Sequence, residues 1–523
     1  MSVMKTIMLA GGFFLAAALP AAAAPAPTPP VRTAAGLVSG VQLSRGLRFF
    51  AGIPFARPPV GNLRWRPPQP PLRWRGVRAA RRFAPPCFQP PAARRFGPWT
   101  SVFNSQLAPS EDCLYLNLWT PARPRGRRLP VMVWIYGGGY TSGAGSVAIY
   151  NGVHLARRGV VVVNFNYRVG ALGFLAYPGL ARESPHHSAG NYGLLDQIAA
   201  LRWVRRNIAA FGGDPHRVTI FGQSAGASSV WLLMQSPLAR GLFQRAIIMS
   251  GPGALPVPNM MTAHLRLAAA EAAGRSYAKS LGAFSLAGLR QLAPARLLRG
   301  HSPLGFAPIA DGWVLRSGLP RGREVPVVNG MVADDIGIGW YGTRPPPPPT
   351  RAHYQAMLHR LCGPRYATCL ALYPAANDRQ AGAALRRALR DRARASLALW
   401  ARHQRRFSPR VYTYYFDHRL PWPQHPEYGI FHSSELPYVF DNLQLMPRPW
   451  QPVDRRIARI LADYWTNFAK TGSPNRRGLP RWPPFHSRPL VTMELGRRIG
   501  PMPVAPPPRL RFWLRRLRRP LGF

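Results

Sequence analysis

The segment Val218-Thr219-Ile220-Phe221-Gly222-Gln223-Ser224-Ala225-Gly226 constrains this chain more than any other. A short β-branched strand ends in G-x-S-x-G and runs directly into Ala225, Ser228, Val230, Trp231, Leu232 and Leu233, the opening of a helix. The serine therefore sits on a sharp strand-to-helix turn. A Cβ at either flank would collide with the neighbouring strand or helix, which is why both flanks are glycine. The turn leaves Oγ exposed above a sheet, next to the positive end of a helix. Five residues alone are a weak pattern. The strand before them and the helix after them set this segment apart from an ordinary glycine-rich turn.

The surrounding pattern agrees. Val131 to Tyr136 is a continuous apolar run, the mark of a strand buried on both faces, and it leads into Gly137-Gly138-Gly139-Tyr140. Val160 to Phe165 is a second such strand. Leu194, Ile198, Leu201, Val204, Ile208 and Phe211 recur at helical spacing until Gly212-Gly213 stops the helix. Ala246 to Ser250, Pro326 to Gly330 and Val411 to Phe416 read as later strands. Residues 263–300 and 379–406 read as helical, Arg455 to Lys470 as a helix ended by Thr471-Gly472, and Pro345 to Pro349 as an extended loop. Strands alternating with helices predict an α/β chain: a mostly parallel central sheet with helices on both faces.

The first residues read as an export signal. Lys5 precedes the apolar stretch Thr6 to Leu19, too short to span a bilayer, and Ala21 to Ala24 suit a small-residue cleavage site. Cleavage is expected after Ala23, leaving residues 24–523 as one secreted or periplasmic domain; a retained anchor is the alternative. The four cysteines fit an exported chain. Of three possible pairings, Cys87–Cys113 and Cys362–Cys369 each close a short loop and are favoured; free buried thiols are the alternative. No zinc-type ligand spacing occurs, so neither metal nor cofactor is expected.

Charge is the unusual quantity. Lys+Arg total 69 against 19 Asp+Glu, a formal net charge of +50, and all but Lys5, Lys279 and Lys470 of the basic residues are arginine. Such a surface attracts anionic lipid heads, polysaccharide or nucleic acid. The arginines are scattered among prolines and no RRM, zinc-finger or helix-turn-helix pattern appears, so specific nucleic-acid binding is not expected; weak association with anionic surfaces is. Near the C-terminus, Leu510, Trp513, Leu514 and Leu517 form an apolar stripe, with Arg511, Arg515, Arg518 and Arg519 largely outside it, between Pro508 and Pro520. That pattern suits a membrane surface, or a helix docked on the protein body.

Acyl transfer by a serine needs a base, an acid that orients the base, and donors for the oxyanion. His432, in Gly429-Ile430-Phe431-His432-Ser433-Ser434-Glu435-Leu436, is the best-placed base downstream of Ser224. The acid should follow the Pro326–Gly330 strand, where Asp334 and Asp335 stand. Gly138, Gly139 and Ala225 can supply backbone N–H groups to the oxyanion. The glycine run is no phosphate loop, because no Gly-Lys-Ser/Thr follows it.

These residues, with Phe50-Ala51-Gly52-Ile53-Pro54-Phe55-Ala56, Pro58-Pro59-Val60-Gly61, Glu111-Asp112-Cys113-Leu114-Tyr115-Leu116-Asn117, Asn166-Tyr167-Arg168 and Gly190-Asn191-Tyr192-Gly193-Leu194-Leu195-Asp196-Gln197, resemble the type-B carboxylesterases of the cholinesterase/carboxylesterase family over nearly the whole mature chain. The resemblance implies an α/β-hydrolase fold and action on small ester substrates. It implies Ser224 as nucleophile, His432 as base, and Gly138, Gly139 and Ala225 as oxyanion hole. Counting against the family's Gly-x-x-Ala-Asp-Glu makes Asp335 the acid, although the family usually has Glu there. It also implies a Cys87–Cys113 disulfide and structural roles for Asp196 and Glu435 as buried, hydrogen-bonded carboxylates. Gln223 stands where cholinesterases have Glu, and Phe103 stands where they have a Trp before Cys113; with the basic surface, these departures disfavour choline esters. A catalytically silent adhesion protein like the neuroligins, or a polyanion-binding protein on the same fold, are the competing readings.

Overall fold

The computed structural model describes residues 26–44, 46–91, 95–121, 128–253, 265–302, 304–316, 325–335, 350–486 and 489–517. The export signal at 1–23, the Pro345–Pro349 loop, Arg518, Arg519 and Pro520 lie outside them.

An eleven-stranded sheet forms the centre. Its strands are β1 (Val41–Leu43), β2 (Leu47–Pro54), β3 (Tyr115–Pro121), β4 (Leu129–Ile135), β5 (Val161–Phe165), β6 (Gly213–Gln223), β7 (Arg245–Met249), β8 (Val327–Val332), β9 (Val411–Asp417), β10 (Val491–Gly496) and β11 (Ile499–Pro503). Across the sheet the order is β11-β10-β9-β8-β7-β6-β4-β5-β3-β2-β1. From β10 to β5 every neighbour is parallel, and the antiparallel pairs lie at the two edges. The two apolar runs read as doubly buried are so: β4 and β5 are buried along their whole length, and so is β8. This is the α/β-hydrolase arrangement.

The helices that matter for the site are α1 (Tyr192–Asn207), α2 (Ala225–Gln235), α3 (Asp378–Gln404), α4 (Pro452–Thr471) and α5 (Pro507–Leu517). Gly212, at φ 85°, closes the turn that follows α1, where the predicted stop lies. The 263–300 stretch is not one helix. It divides into Leu267–Ser280, Leu286–Gln291 and Pro294–Leu297, because Gly282 turns at φ 72° and Pro294 can only begin a helix. No helix among the described residues is long and apolar enough to cross a membrane.

The C-terminal stripe docks on the body. Helix α5 packs on α3; Trp513 is fully buried, and its indole N–H donates to Tyr373 Oη at 2.7 Å. Leu517 and Phe512 are also buried, in a second apolar cluster built around the Cys362–Cys369 disulfide with Tyr354, Leu358 and Leu385. The membrane-surface reading of this helix is therefore set aside. The apolar face it would need is already occupied.

Candidate active site

The elbow forms as its sequence demands. Ser224 has φ 59° and ψ −126°, a conformation that a residue with a side chain rarely adopts. It is held by its N–H donating to the Met249 carbonyl at 3.0 Å, across from β7. The flanking glycines are required by close approach. A Cβ on Gly222 would lie 2.5 Å from the Gly226 carbonyl oxygen, and one on Gly226 would lie 2.0 Å from that of Ile135 in β4. Gly137 belongs to the same fit, since a Cβ there would come within 2.9 Å of Ser224 Cβ. The glycine run thus lies directly against the elbow. The Gly138 carbonyl accepts from the N–H groups of Thr141 and Ser142, at 3.0 and 3.2 Å, and Gly138 itself takes φ 99°. Among the described residues, no carbonyl takes up the N–H of Gly138, Gly139 or Ala225. Ala225 begins α2, so its N–H is one of the unpaired donors at a helix start.

The other candidates converge on the same end of the sheet. Asp335 follows β8, His432 lies in the loop beyond β9, and both are buried. His432 Nδ1 and Asp335 Oδ1 are hydrogen-bonded, and the Val332 N–H also points at Asp335 Oδ2 (3.3 Å). The Asp-for-Glu departure is thus accommodated: the shorter carboxylate still reaches the imidazole. Asp334 faces elsewhere. Its Oδ1 takes two N–H groups of Arg390 on α3, at 2.9 and 2.8 Å, and its Oδ2 accepts the Ile430 N–H at 3.1 Å.

Three features were missed in the sequence. Gln223 Nε2 lies 3.0 Å from His432 Nε2 and 3.4 Å from Nδ1. With Nδ1–H given to Asp335, Nε2 is the lone-pair nitrogen that accepts this amide. Ser224 Oγ makes no hydrogen bond to His432 among the described residues, a bond that often closes only with substrate in place. Gln223 was visible as a departure from the family, but nothing local told where its side chain points. The second feature is Glu435. It is fully buried, yet neither carboxylate oxygen has a hydrogen-bond partner among the described residues, which corrects the reading of it as a hydrogen-bonded carboxylate. Burial, then the negative charge of Asp335, push its pKa up to about 8. Asp196 does match expectation: it is buried and takes the Arg168 guanidinium at 2.8 and 2.7 Å and the Arg168 N–H at 3.0 Å. The third is an aromatic wall. Trp99 and Phe103 both meet the Phe431 ring edge-on, at 6.1 and 6.4 Å, so the residue beside His432 is packed by two rings.

Both local cysteine pairs are disulfides, Cys87–Cys113 and Cys362–Cys369. The first ties the loop carrying Trp99 and Phe103. Next to it, Gln89 accepts from Gly143 N–H at 2.7 Å and donates to the Gly143 carbonyl at 2.9 Å, which joins this loop to the turn after the glycine run. Among the described residues, no three His, Cys, Asp or Glu side chains gather in a way that could hold a metal ion.

Comparison with known proteins points the same way. The carboxylesterase family model matches residues 27–337 and 371–506. The chain is 38% identical over 490 residues to the fumonisin B1 esterase of Sphingopyxis macrogoltabida, covering 90% of this chain and 86% of that one. It is 33% identical over 546 residues to the acetylcholinesterase of Bungarus fasciatus, covering 92% and 85%. A solved PNB esterase structure superposes with a TM-score of 0.75 at 31% identity, covering 93% of this chain and 99% of that one. The chain belongs to the carboxylesterase family, type B, and is a carboxylic ester hydrolase.

Proposed function

We propose that the chain is a secreted or periplasmic serine esterase, one domain over residues 24–523, that cleaves neutral carboxylic esters through an acyl-enzyme on Ser224. The observation that carries this reading is the hydrogen-bonded Asp335–His432 pair at the same sheet end as the strained Ser224. In the first half-reaction His432 Nε2 takes the Oγ proton as Oγ bonds to the ester carbonyl carbon. The oxyanion forms against the N–H groups of Gly138, Gly139 and Ala225. The proton then passes to the departing alkoxide, and water repeats the sequence to free the acid. Asp335 holds the imidazole tautomer and stabilises its cation. Gln223 must release Nε2 before Ser224 can bond to it. The two disulfides suit an oxidising compartment. A quaternary ammonium substrate would be repelled by a chain of net charge +50.

The test is hydrolysis of p-nitrophenyl butyrate together with labelling by paraoxon. Wild type should turn over the ester and gain one diethylphosphoryl group on the peptide that carries Ser224, and Ser224→Ala should lose both. An active enzyme labelled elsewhere sinks the assignment, and a folded wild type without turnover favours the silent, neuroligin-like reading.

A further inference from the structure

The excess positive charge is not spread evenly. The first carboxylate in the sequence is Glu111, so the whole N-terminal part of the fold carries arginine without Asp or Glu. Within it, residues 68–71 form a proline-rich wall that faces the C-terminal half of α1. Between them lies a groove of about 300 Å³, whose lining includes Arg73, Arg202, Arg206, Pro70 and Trp203. Among the described residues, none that lines it is acidic. Arg73, Arg202 and Arg206 are exposed and have no ion pair or side-chain hydrogen bond among the described residues. Arg202 and Arg206 stand one helical turn apart, where like charges repel. The negative end of α1 favours a cation at its last turn, which accounts for Arg206; it does not account for Arg73 across the groove.

The wall is fixed in place before any ligand arrives. Trp74 donates its backbone N–H to the Ala35 carbonyl and its indole N–H to the Leu37 carbonyl, both at 2.9 Å or less. The Arg57 N–H donates to the Gln69 carbonyl at 2.9 Å, and Asn207 Oδ1 accepts the Ala34 N–H at 2.8 Å, closing the end of the groove onto α1. Prolines add stiffness and leave no N–H groups to satisfy. Guanidinium forks held on such a frame suit the oxygens of a phosphate.

A second observation, independent of charge, lies beside the groove. Leu72 is 66% exposed and Val77 49%, on the same segment as Arg73, Arg75, Arg81 and Arg82. Exposed apolar side chains among unpaired arginines are the composition of a surface that meets an anionic bilayer, where the arginines take headgroups and the apolar tips enter the boundary. The location fits. Helix α1 runs back antiparallel to β6 and ends near its start, whereas Ser224 follows the other end of that strand, roughly 25 Å away once the bulge between Gly213 and Val218 is allowed for.

We propose that this face is a docking surface for membranes bearing anionic phosphate headgroups, with the Arg73–Arg202–Arg206 groove as the headgroup site and Leu72 as the inserted tip. It leaves the ester-cleaving end facing away from the bilayer.

Co-sedimentation of the full chain with phosphatidylglycerol/phosphatidylcholine vesicles tests it. Phosphatidylcholine vesicles and soluble dextran sulfate serve as separate arms, and p-nitrophenyl butyrate turnover and thermal melting as fold controls. Wild type should bind the anionic vesicles, ignore the neutral ones, and lose binding as salt rises. Arg73→Ser/Arg202→Ser/Arg206→Ser should weaken binding about 100-fold, from roughly a fivefold effect per basic residue near an anionic surface. Arg456→Ser/Arg459→Ser/Arg477→Ser removes the same charge from exposed arginines elsewhere that have no ion pair among the described residues, and should change binding far less. Leu72→Asn, an exposed site where folding is not at stake, should weaken vesicle binding and leave dextran sulfate binding intact. Equal losses in the two triple variants would reduce the effect to diffuse charge and overturn the groove. A groove variant that loses dextran sulfate and vesicles alike, with Leu72→Asn silent in both, would make the partner a soluble polyanion and overturn the membrane assignment.

Discussion

Asp334 Oδ2 accepts the backbone N–H of Ile430 at 3.1 Å, so the residue next to the candidate acid grips the loop that carries the candidate base. Neighbouring carboxylates thereby divide the work. Asp335 bonds to His432 itself, while Asp334 fixes the loop and is held in turn by Arg390. Gly429 belongs to this contact: a Cβ there would lie 2.7 Å from Asp334 Oδ2. Asp335→Asn should lower kcat by up to about 10⁴-fold with little change in melting temperature, in line with the serine-protease case. Asp334→Asn should lower the melting temperature and reduce kcat far less. Steady-state kinetics and melting of the two variants separate the roles; the reverse pattern would move the acid to Asp334.

Arg390→Ala removes a charge-assisted pair whose arginine side chain is 29% exposed, and leaves the Asp334 carboxylate buried without its cation. The cost should be about 1–3 kcal/mol of stability. Because the effect reaches His432 only through the loop, kcat should fall several-fold while KM holds, and Arg390→Lys should recover part of it. Unchanged kcat in a destabilised Arg390→Ala would show that the loop is positioned without this pair.

The Cys87–Cys113 disulfide closes a 26-residue separation around the loop that presents Trp99 and Phe103 to Phe431. Chain-entropy arithmetic gives about 3–4 kcal/mol for such a loop. Cys87→Ser/Cys113→Ser should lose stability on that scale in denaturant titration. KM should rise as well, because the loop also braces the turn after the glycine run through Gln89 and Gly143. Lost stability with an unchanged KM would confine the disulfide to a structural role.

The frame of this protein was legible because its strands are buried on both faces. An uninterrupted run such as Val131 to Ile135 has few alternatives, and Gly222 and Gly226 mark a close approach that any side chain would block. His432 and the Asp334–Asp335 pair are candidates from their places after predicted strands, but the choice of Asp335 rests on family spacing, since 97 residues separate it from His432 and no local pattern joins them. Contacts made across the fold were not legible. Gln223 meets His432 across 209 residues, and the packing around Glu435 leaves its carboxylate without a hydrogen-bond partner among the described residues. The C-terminal stripe shows the same limit differently. Periodicity identifies an apolar face but not what covers it, and here Tyr373 and the α3 surface do.

Gly226→Ala tests the elbow without touching a reacting group. The added methyl would sit 2.0 Å from the Ile135 carbonyl oxygen and 2.7 Å from that of Tyr136, and both are backbone atoms that cannot swing aside. Either β4 or the elbow must move. Overpacking of this kind costs about 1–3 kcal/mol, and more where backbone must shift. Activity should fall further than stability accounts for, because the same shift displaces the Ala225 N–H and Oγ of Ser224. A fully folded Gly226→Ala with wild-type kcat would mean the elbow is looser than its contacts indicate.

Glu435 makes stability depend on pH in a direction opposite to that of a salt-bridged acid. Its carboxyl is buried beside Asp335, and its pKa rises from 4.5 to about 8. Below the unfolded-state value both states hold the proton and no penalty applies. Between the two values the unfolded chain releases the proton while the folded one keeps it, so this group's contribution to stability declines as pH rises from 4.5 to about 8. Above that the penalty is constant. Protonation spares Asp335 a second negative charge, which is why the pair tolerates burial. Glu435→Gln keeps the shape and the neutral form but removes the titration. Urea unfolding at about pH 5 and about pH 8 should show wild type losing more stability than Glu435→Gln over that interval, with the two converging at the lower pH. Parallel curves for the two proteins would mean that Glu435 is ionised in the folded state, and that a cation or water outside the described residues compensates it.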